Sequence, residues 1–127
     1  MKREFKIISN FLPDNSRVLD VGCGDGTLID ILFKEKNINV RGLEINKENV
    51  KTCISKGLSV IEGNAETDLD QYPKQSFDYV ILSQTLQAFY NPEKVLENLL
   101  RVGRNAIISI PNFGYWKVRA SLLINGK

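Results

Sequence analysis

Short apolar runs alternate with amphipathic segments along most of this chain. Five runs rich in Val, Ile and Leu have the length of buried strands, and they cover residues 17–21, 39–44, 58–63, 77–83 and 105–110. Three segments carry apolar residues at helical spacing, and they cover residues 27–36, 46–57 and 91–103. This alternation predicts an α/β fold, with a mainly parallel sheet and helices on both faces. We expect one domain over residues 1–127.

The ends of two predicted helices carry clear local signals. Asn46 is a candidate N-cap and Gly57 a candidate stop for the helix within 46–57. Asn91 and Pro92 begin the helix within 91–103, and Gly103 ends it. A further short helix is a candidate within residues 84–90, "QTLQAFY".

Composition narrows the classes of function. The chain is 43% hydrophobic and 25% charged, as is typical of a soluble globular protein. Its net charge is +2 with both signs interspersed, which gives no argument for a nucleic-acid binder, since such a protein needs a basic face. The sequence has no run of about 18 apolar residues, so we expect no membrane span. Charges interrupt the first ten residues, where a signal peptide needs an apolar core.

The absence of His and the use of Cys restrict the chemistry further. Without His, the chain has neither a histidine base nor a histidine metal ligand. Cys23 and Cys53 lie far apart in the sequence and fit neither a disulfide framework nor the spacing of a zinc site. We therefore expect no metal site and a cytoplasmic, reducing setting.

A glycine-rich turn, "GCGDG", follows the first predicted strand. Three explanations compete: a plain tight turn, a dinucleotide-binding turn and an S-adenosylmethionine-binding turn. Gly22 and Gly24 match the start of the dinucleotide pattern, but Thr27 stands where its third glycine belongs. The carboxylate of Asp20 would also repel a pyrophosphate, which disfavours an NAD-type oxidoreductase.

The pattern D-x-G-x-G-x-G favours S-adenosylmethionine or S-adenosylhomocysteine. A carboxylate at Asp20 suits the cationic methionine end of that cofactor, directly or through water. Gly22, Gly24 and Gly26 let the backbone approach a ligand without a Cβ clash. Glu44 ends the second strand about twenty residues later, where a carboxylate can accept hydrogen bonds from both ribose hydroxyls.

Weaker candidates follow the other strands and the same turn. Ile45, Asn64 and Ala65 would border the adenine, and Ser83 would lie under the sulfonium. Asn64 as a plain turn residue, Glu44 as a surface cap of the next helix, and Ser83 with Gln84 as caps of a short helix are the alternative interpretations. Cys23 would contribute backbone to the cofactor turn, since a small packed side chain suits that position better than a nucleophile.

A general base for methyl transfer is not evident. The fourth strand lacks the N-P-P-[YF] type of sequence that is found where a nucleobase amine is methylated. Asp78 lies at the start of that strand, away from the carboxyl edge of the sheet, and suits a structural role. The catalytic residues are therefore unknown, and cofactor binding is better supported than chemistry.

The chain resembles the methionine biosynthesis protein MetW family in three segments, "LDVGCGDG" (19–26), "FDYVILSQTLQA" (77–88) and "NPEKVLENLLRVGRNAIISIPNFGYWKVR" (91–119). The resemblance implies the Rossmann-like fold of class I S-adenosylmethionine-dependent methyltransferases. It also implies a role in methionine biosynthesis beside a homoserine O-acyltransferase. At the position of Asn64 the family usually has Asp.

The resemblance also implies two further strands after the fifth, one of them antiparallel. The segment after Trp116 gives only a short amphipathic stretch, "YWKVRASLLING", for which a helix packed on the sheet is the favoured interpretation. We therefore expect the last strands to be missing through C-terminal shortening. Strand five would then be an exposed apolar edge open to self-association.

Two functions stay open at this stage. The first is a binding or regulatory protein that holds S-adenosylmethionine or S-adenosylhomocysteine and supports a homoserine O-acyltransferase. The second is a methyltransferase that acts on a small-molecule oxygen, nitrogen or carbon acceptor.

Overall fold

The computed structural model describes residues 3–83, 88–110 and 114–119. The strands within this part are β1 Val18–Val21, β2 Val40–Glu44, β3 Val60–Glu62, β4 Phe77–Leu82, β5 Gly103–Ile110 and β6 Gly114–Arg119. The helices are α1 Arg3–Phe11, α2 Thr27–Lys36, α3 Lys47–Ser55, α4 Ala65–Asp68 and α5 Pro92–Val102, with a 3-10 turn at Leu69–Gln71. None of these helices is both long and apolar enough to cross a membrane.

The described strands form one sheet in the order β3-β2-β1-β4-β5-β6. The first five are parallel, with Asp20 opposite Gly42 of β2 on one side and Ile81 of β4 on the other. The chain builds β1, β2 and β3 outward and then crosses back to place β4 against β1. In open α/β sheets such a reversal leaves a crevice at the carboxyl ends of the strands, where ligands bind.

The core lies on both faces of the sheet, which confirms the predicted layers. Successive strand residues point to opposite faces, so Val80 and Ile81, both fully buried, enter different clusters. The Ile81 cluster includes Ile8 of α1 and Leu32 of α2, whereas the Val80 cluster includes Leu99 of α5.

The predicted helices with strong end signals are confirmed. Residues 27–36 form α2 with the predicted bounds, and the other two helices agree within one or two residues. Asn46 caps α3 by accepting a 3.0 Å hydrogen bond from Asn49 N, and Asn91 caps α5 through Lys94 N at 3.2 Å. Gly57 lies two residues beyond α3 in the left-handed region, and Gly103 both ends α5 and begins β5.

The prediction for the C-terminal segment is wrong in part. Residues 114–119 form β6, which pairs antiparallel with β5 from Ile110 opposite Gly114 to Asn105 opposite Arg119. One of the two strands that were expected to be missing is therefore present. Because β6 covers β5, β5 is not the open edge that was proposed for self-association. Tyr, Trp and Val are residue types that favour strands when a partner strand is present. Residues 120–126 of the predicted stretch lie outside the described part of the chain.

The N-terminal helix α1 and the one-turn helix α4 were not predicted. Charged residues crowd the first ten positions, yet Ile8 and Leu12 are almost completely buried against the sheet. An amphipathic helix therefore lies where the charges indicated only the absence of a signal peptide.

Arg101 of α5 connects this helix with the segment before β4 through hydrogen bonds. Its guanidinium donates to the carbonyl oxygens of Tyr72 at 2.6 Å and Leu69 at 2.8 Å, and to Asn98 Oδ1 at 3.3 Å. Asn98 in turn donates to Asp70 Oδ1 at 2.9 Å. One side chain thus satisfies two carbonyl groups of the 3-10 turn region.

We expect Arg101→Ala to lower the free energy of unfolding by about 1–3 kcal/mol, because two partly buried carbonyl oxygens lose charged donors. Urea unfolding measures this, with Arg104→Ala as the control. Arg104 is exposed at the start of β5, so its loss should change stability by less than about 0.5 kcal/mol. Equal stability of the two variants would contradict the assigned role of Arg101.

Candidate functional site

The glycine turn joins β1 to α2 through three left-handed residues. The φ angles are 74° at Gly22, 59° at Gly24 and 84° at Gly26, values that side chains other than Gly rarely adopt. Gly22 N donates to Leu43 O at 2.7 Å, which fixes the turn to β2. Gly26 N donates to Cys23 O at 3.1 Å, and Gly26 is the N-cap of α2.

Gly24 and Gly26 differ in their surroundings. A Cβ at Gly26 would collide with the side chains of Leu58 and Cys53, so this glycine is required for packing. A Cβ at Gly24 would meet no heavy atom within 4 Å. The open space beside Gly24 is therefore available to a ligand that approaches the backbone closely.

Glu44, at the end of β2, holds this turn and the start of α3 at the same time. Its Oε1 accepts from Gly24 N at 2.8 Å. Its Oε2 accepts from Asn46 N at 3.0 Å and from Asn49 Nδ2 at 3.5 Å. A carboxylate has about four lone-pair positions, so Glu44 keeps acceptor capacity after these three bonds. It is 7% exposed and lies at the carboxyl end of β2.

Asp20 lies in β1 with its side chain completely buried. Ser83, directly after β4, donates from Oγ to Asp20 Oδ1 at 2.8 Å. Among the described residues, the second oxygen, Oδ2, has no hydrogen-bond partner. A buried carboxylate oxygen without a donor is costly, so Oδ2 is an acceptor that the described residues leave open.

Burial raises the pKa of Asp20 to about 7. The hydrogen bond from Ser83 acts in the opposite direction, and the nearby charge of Glu44 raises the pKa slightly further. Near neutral pH the carboxyl group is therefore poised between its neutral and charged forms, and a cation beside it would favour the charged form.

A cleft of about 370 Å³ opens at the carboxyl ends of β1 and β2. Its lining comprises residues 21–22, 43 and 45 from these strand ends, 63–66 at the start of α4, and 88–90 before α5. Tyr90 is fully exposed and Ile45 is 60% exposed, so two large apolar side chains stand at the mouth of the cleft. This volume lies in the range of small-molecule sites.

Two polar side chains of the cleft are held by local hydrogen bonds. Asn64 caps α4, because its Oδ1 accepts from Glu66 N at 2.9 Å. Glu66 accepts from Asn91 N at 3.1 Å through Oε2, which connects α4 with the residue before α5.

The thiol of Cys23 packs in the apolar cluster beneath the turn. A Cβ at Gly42 would lie 2.7 Å from Cys23 Sγ, so the thiol fills the space above that glycine. Burial raises the pKa of Cys23, and the charge of Asp20 raises it further. The thiol is therefore protonated at neutral pH and is a poor nucleophile.

Asp78 has the structural position expected of it. It accepts from Arg17 N at 2.8 Å and pairs with Arg17 Nη2 at 3.3 Å, at the amino edge of the sheet. The backbone hydrogen bond from Arg17 lowers the pKa of Asp78, with a further contribution from the Arg17 side chain.

The structure brings the predicted site residues to one edge in two groups. Gly22, Ile45, Asn64 and Ala65 line the cleft. The remaining predicted residues lie beside it along the strand ends and the turn, and they are Asp20, Cys23, Gly24, Gly26, Glu44 and Ser83. Gln84 and residues 85–87 of the predicted short helix lie outside the described residues.

Sequence reasoning missed the wall of the cleft that Glu66, Phe89 and Tyr90 form. A weak signal was available, since an aromatic pair directly precedes the helix cap at Asn91. Nothing in the pattern alone indicated that this pair would meet the residues after β3.

This arrangement defines a class I S-adenosylmethionine-dependent methyltransferase fold. The crystal structure of a SAM-dependent methyltransferase from Archaeoglobus fulgidus is similar with a TM-score of 0.69 and 25% identity, covering 86% of this chain and 54% of that chain. The [4+2]-cyclase SpnF is similar with a TM-score of 0.73 and 21% identity, covering 84% of this chain and 43% of that one. A protein named as a cyclase thus shares the fold, and the fold alone does not define the reaction.

The chain belongs to the methionine biosynthesis protein MetW family, whose model matches residues 2–127. A bifunctional methionine biosynthesis protein MetXA/MetW from Rhodopirellula baltica is 36% identical over 128 residues. That match covers 94% of this chain and 20% of the relative. A match to an uncharacterized protein, MJ1123 of Methanocaldococcus jannaschii, covers 51% of that relative at 31% identity. This chain therefore spans about half or less of the length of these relatives.

Proposed function

We propose that this chain binds S-adenosylmethionine or S-adenosylhomocysteine at the carboxyl edge of the sheet and serves methionine biosynthesis together with a homoserine O-acyltransferase. The observation that carries the proposal is the buried Asp20 carboxyl, whose Oδ2 lacks a donor among the described residues. The cofactor supplies what this carboxyl lacks, because its methionine end bears an ammonium group. The open space at Gly24 fits the same ligand.

Five of the predicted residues then have assigned roles in holding the cofactor. Asp20 takes the ammonium end, directly or through water. Ser83 lies under the sulfonium and donates a hydrogen bond to Asp20. Glu44 uses its remaining acceptor position for a ribose hydroxyl, while its other bonds fix the turn. Ile45 and Ala65 border the adenine.

When bound, S-adenosylmethionine would supply an activated methyl group, and S-adenosylhomocysteine would not. The described residues that line the cleft would border the nucleoside. Among the described residues, no side chain is assigned as a general base for methyl transfer.

The partner is proposed from the family and its fused relative. In the Rhodopirellula baltica protein, the named MetXA and MetW parts share one chain, and this chain matches 20% of it. Fusion fixes two parts at high effective concentration. We propose that this chain reaches the same association as a separate protein.

Substitution of Gly24 tests the cofactor site without disturbing the fold more than a matched control. Gly24 and Gly57 both have left-handed φ angles, and a Cβ at either meets no heavy atom within 4 Å. Ala should cost each about 1–2 kcal/mol of unfolding free energy. Only Gly24→Ala should weaken S-adenosylhomocysteine binding, by at least about tenfold, as measured by calorimetry. Equal affinity of the two variants would contradict the placement of the cofactor against Gly24.

The partnership is tested by assaying a homoserine O-acyltransferase alone and with this chain. We expect a complex and a higher acyltransferase activity. Equal activity and no complex would contradict the partnership.

The alternative function is methyl transfer to a small molecule. It is favoured by the similarity to ajmaline N-methyltransferase from Rauvolfia serpentina, which is 30% identical over 93 residues covering 67% of this chain and 31% of that enzyme. Formation of S-adenosylhomocysteine from S-adenosylmethionine in the presence of an acceptor would support it. A saturated site with no turnover across a broad acceptor panel would count against it.

A further inference from the structure

The amino edge of the sheet carries a second cavity, at the opposite edge from the cofactor cleft. It opens where β1, β2 and β4 begin, and its lining reaches the residue before β3. Its volume is about 560 Å³, which lies in the range of small-molecule sites. None of the residues assigned to cofactor binding lines this amino-edge cavity.

The lining of the amino-edge cavity is polar and basic. Among the described residues, three Asn and three Ser residues line it beside Arg17 and Arg41, and neither Asp nor Glu does. The cofactor edge has the opposite character, because the carboxyl groups of Asp20 and Glu44 lie there. An anion that those carboxylates would repel therefore meets positive charge and hydrogen-bond donors at the amino edge.

The two arginines of this cavity differ in their partners. Arg17 is paired with Asp78, at 3.3 Å from Nη2 and 3.5 Å from Nε. Arg41, opposite Leu19 in the register of β1 with β2, is exposed. Within the described part of the chain its guanidinium has neither a hydrogen bond nor an ion pair. A guanidinium presents five N–H donors in a planar fork that fits phosphate oxygens, so Arg41 is available to an anion.

Ser76 supplies a second open polar group to the same cavity. Its Oγ is buried and has no hydrogen-bond partner among the described residues, and a buried hydroxyl without a partner is costly. Ser76 directly precedes β4, whereas Arg41 lies in β2, and β1 runs between these two strands. Two strand spacings correspond to about 9–10 Å between the backbones. That span favours an anion with several acceptor oxygens over a single small ion.

We propose that the amino-edge cavity binds a small phosphate-bearing molecule through Arg41, with the Ser76 hydroxyl as a second donor. A phosphate group presents three strong acceptor oxygens, whereas a carboxylate presents two. The lining offers the fork of Arg41 together with hydroxyl and amide donors, more than one carboxylate can accept. This inference goes beyond the proposed function and does not depend on it, since the two sites lie at opposite edges of the sheet.

Calorimetric titration with pyrophosphate tests this site, at low ionic strength because salt screens exposed charges. We expect saturable binding at one site per chain with a Kd below about 1 mM. Arg41→Gln should weaken the binding at least about tenfold, because a charge-assisted contact is lost. Ser76→Ala should weaken it about threefold, through the loss of one hydrogen bond.

Arg104→Gln is the matched control, because Arg104 is exposed at the amino end of β5 and does not line the cavity. It removes the same charge from the same edge and should change the affinity by less than about twofold. Circular dichroism should show all variants folded. Equal losses in Arg41→Gln and Arg104→Gln would overturn the site, since they would report only a general attraction of charge. No saturable binding by the folded wild-type chain would overturn it as well. So would succinate binding as tightly as pyrophosphate, or displacement of pyrophosphate by S-adenosylhomocysteine.

Discussion

Glu44→Gln is expected to lose both stability and cofactor binding, although it changes a single atom. Glu44 accepts backbone N–H groups on each carboxylate oxygen, from Gly24 at 2.8 Å and from Asn46 at 3.0 Å. An amide has only one acceptor oxygen, so its NH2 group must face one of these N–H donors. Leaving a donor unpaired should lower the free energy of unfolding by about 1–3 kcal/mol.

The affinity of Glu44→Gln for the cofactor should also fall, by about 10- to 100-fold, because the substitution changes both the ribose acceptor and the geometry of the turn. Urea unfolding and calorimetric titration with S-adenosylhomocysteine measure the two effects on one sample. Glu48→Gln is the control, since Glu48 is an exposed carboxylate in the first turn of α3. A Glu44→Gln protein with the wild-type unfolding midpoint and affinity would refute this double role.

Asp20→Asn is expected to weaken S-adenosylmethionine binding by about 10- to 150-fold at pH 8, since a hydrogen bond to a charged group contributes about 1.5–3 kcal/mol. Asn can still accept from Ser83, so the packing around the residue is kept. The loss therefore reports the charge that faces the cationic end of the cofactor.

The same residue predicts a pH dependence of binding. In the free protein the pKa of Asp20 is raised to about 7, chiefly by burial. A cation binds the charged form, so wild-type affinity should rise from pH 6 to pH 8 by up to about tenfold per pH unit below 7 and then level off. Asp20→Asn should remove this component of the profile, and Asp30→Asn, a half-buried control on α2 that pairs with Lys34, should keep it.

The contribution of Asp20 to the stability of the ligand-free chain should fall as pH rises, whereas the cofactor affinity should rise. Between its ordinary pKa of 3.8 and about 7, folded Asp20 binds more protons than unfolded Asp20. Its contribution to stability is therefore present at low pH and lost as pH rises to about 7. Asp20→Asn should gain unfolding free energy relative to wild type by up to about 1.4 kcal/mol per pH unit over this window. A difference that does not vary with pH would contradict the raised pKa.

Local signals in the sequence were sufficient for most of the helices and strands. The cap at Asn91 and the stop at Gly103 bound α5 because they act within a few residues of the chain. The bounds of α2 were predicted for the same reason. The β6 strand was missed because residues 114–119 become a strand through pairing with β5, a tertiary contact that no local pattern contains.

The residues of the candidate site also differ in whether local sequence could predict them. Asp20 and the glycines were predicted because a short motif fixes their backbone relation, and Glu44 because it ends the next strand. The structure places all of them at one edge of the sheet. Whether they bind the cofactor is still a prediction. Glu66 and Tyr90 were missed, since they meet at the cleft only after α4 and the segment before α5 fold together.

The central claim is tested most directly by calorimetric titration of the wild-type chain with S-adenosylhomocysteine and S-adenosylmethionine at pH 8. We predict saturable binding of both at one site per chain, weakened in Asp20→Asn and in Glu44→Gln. A chain that is folded by circular dichroism and shows no saturable binding of either compound up to about 1 mM would contradict the proposed cofactor site.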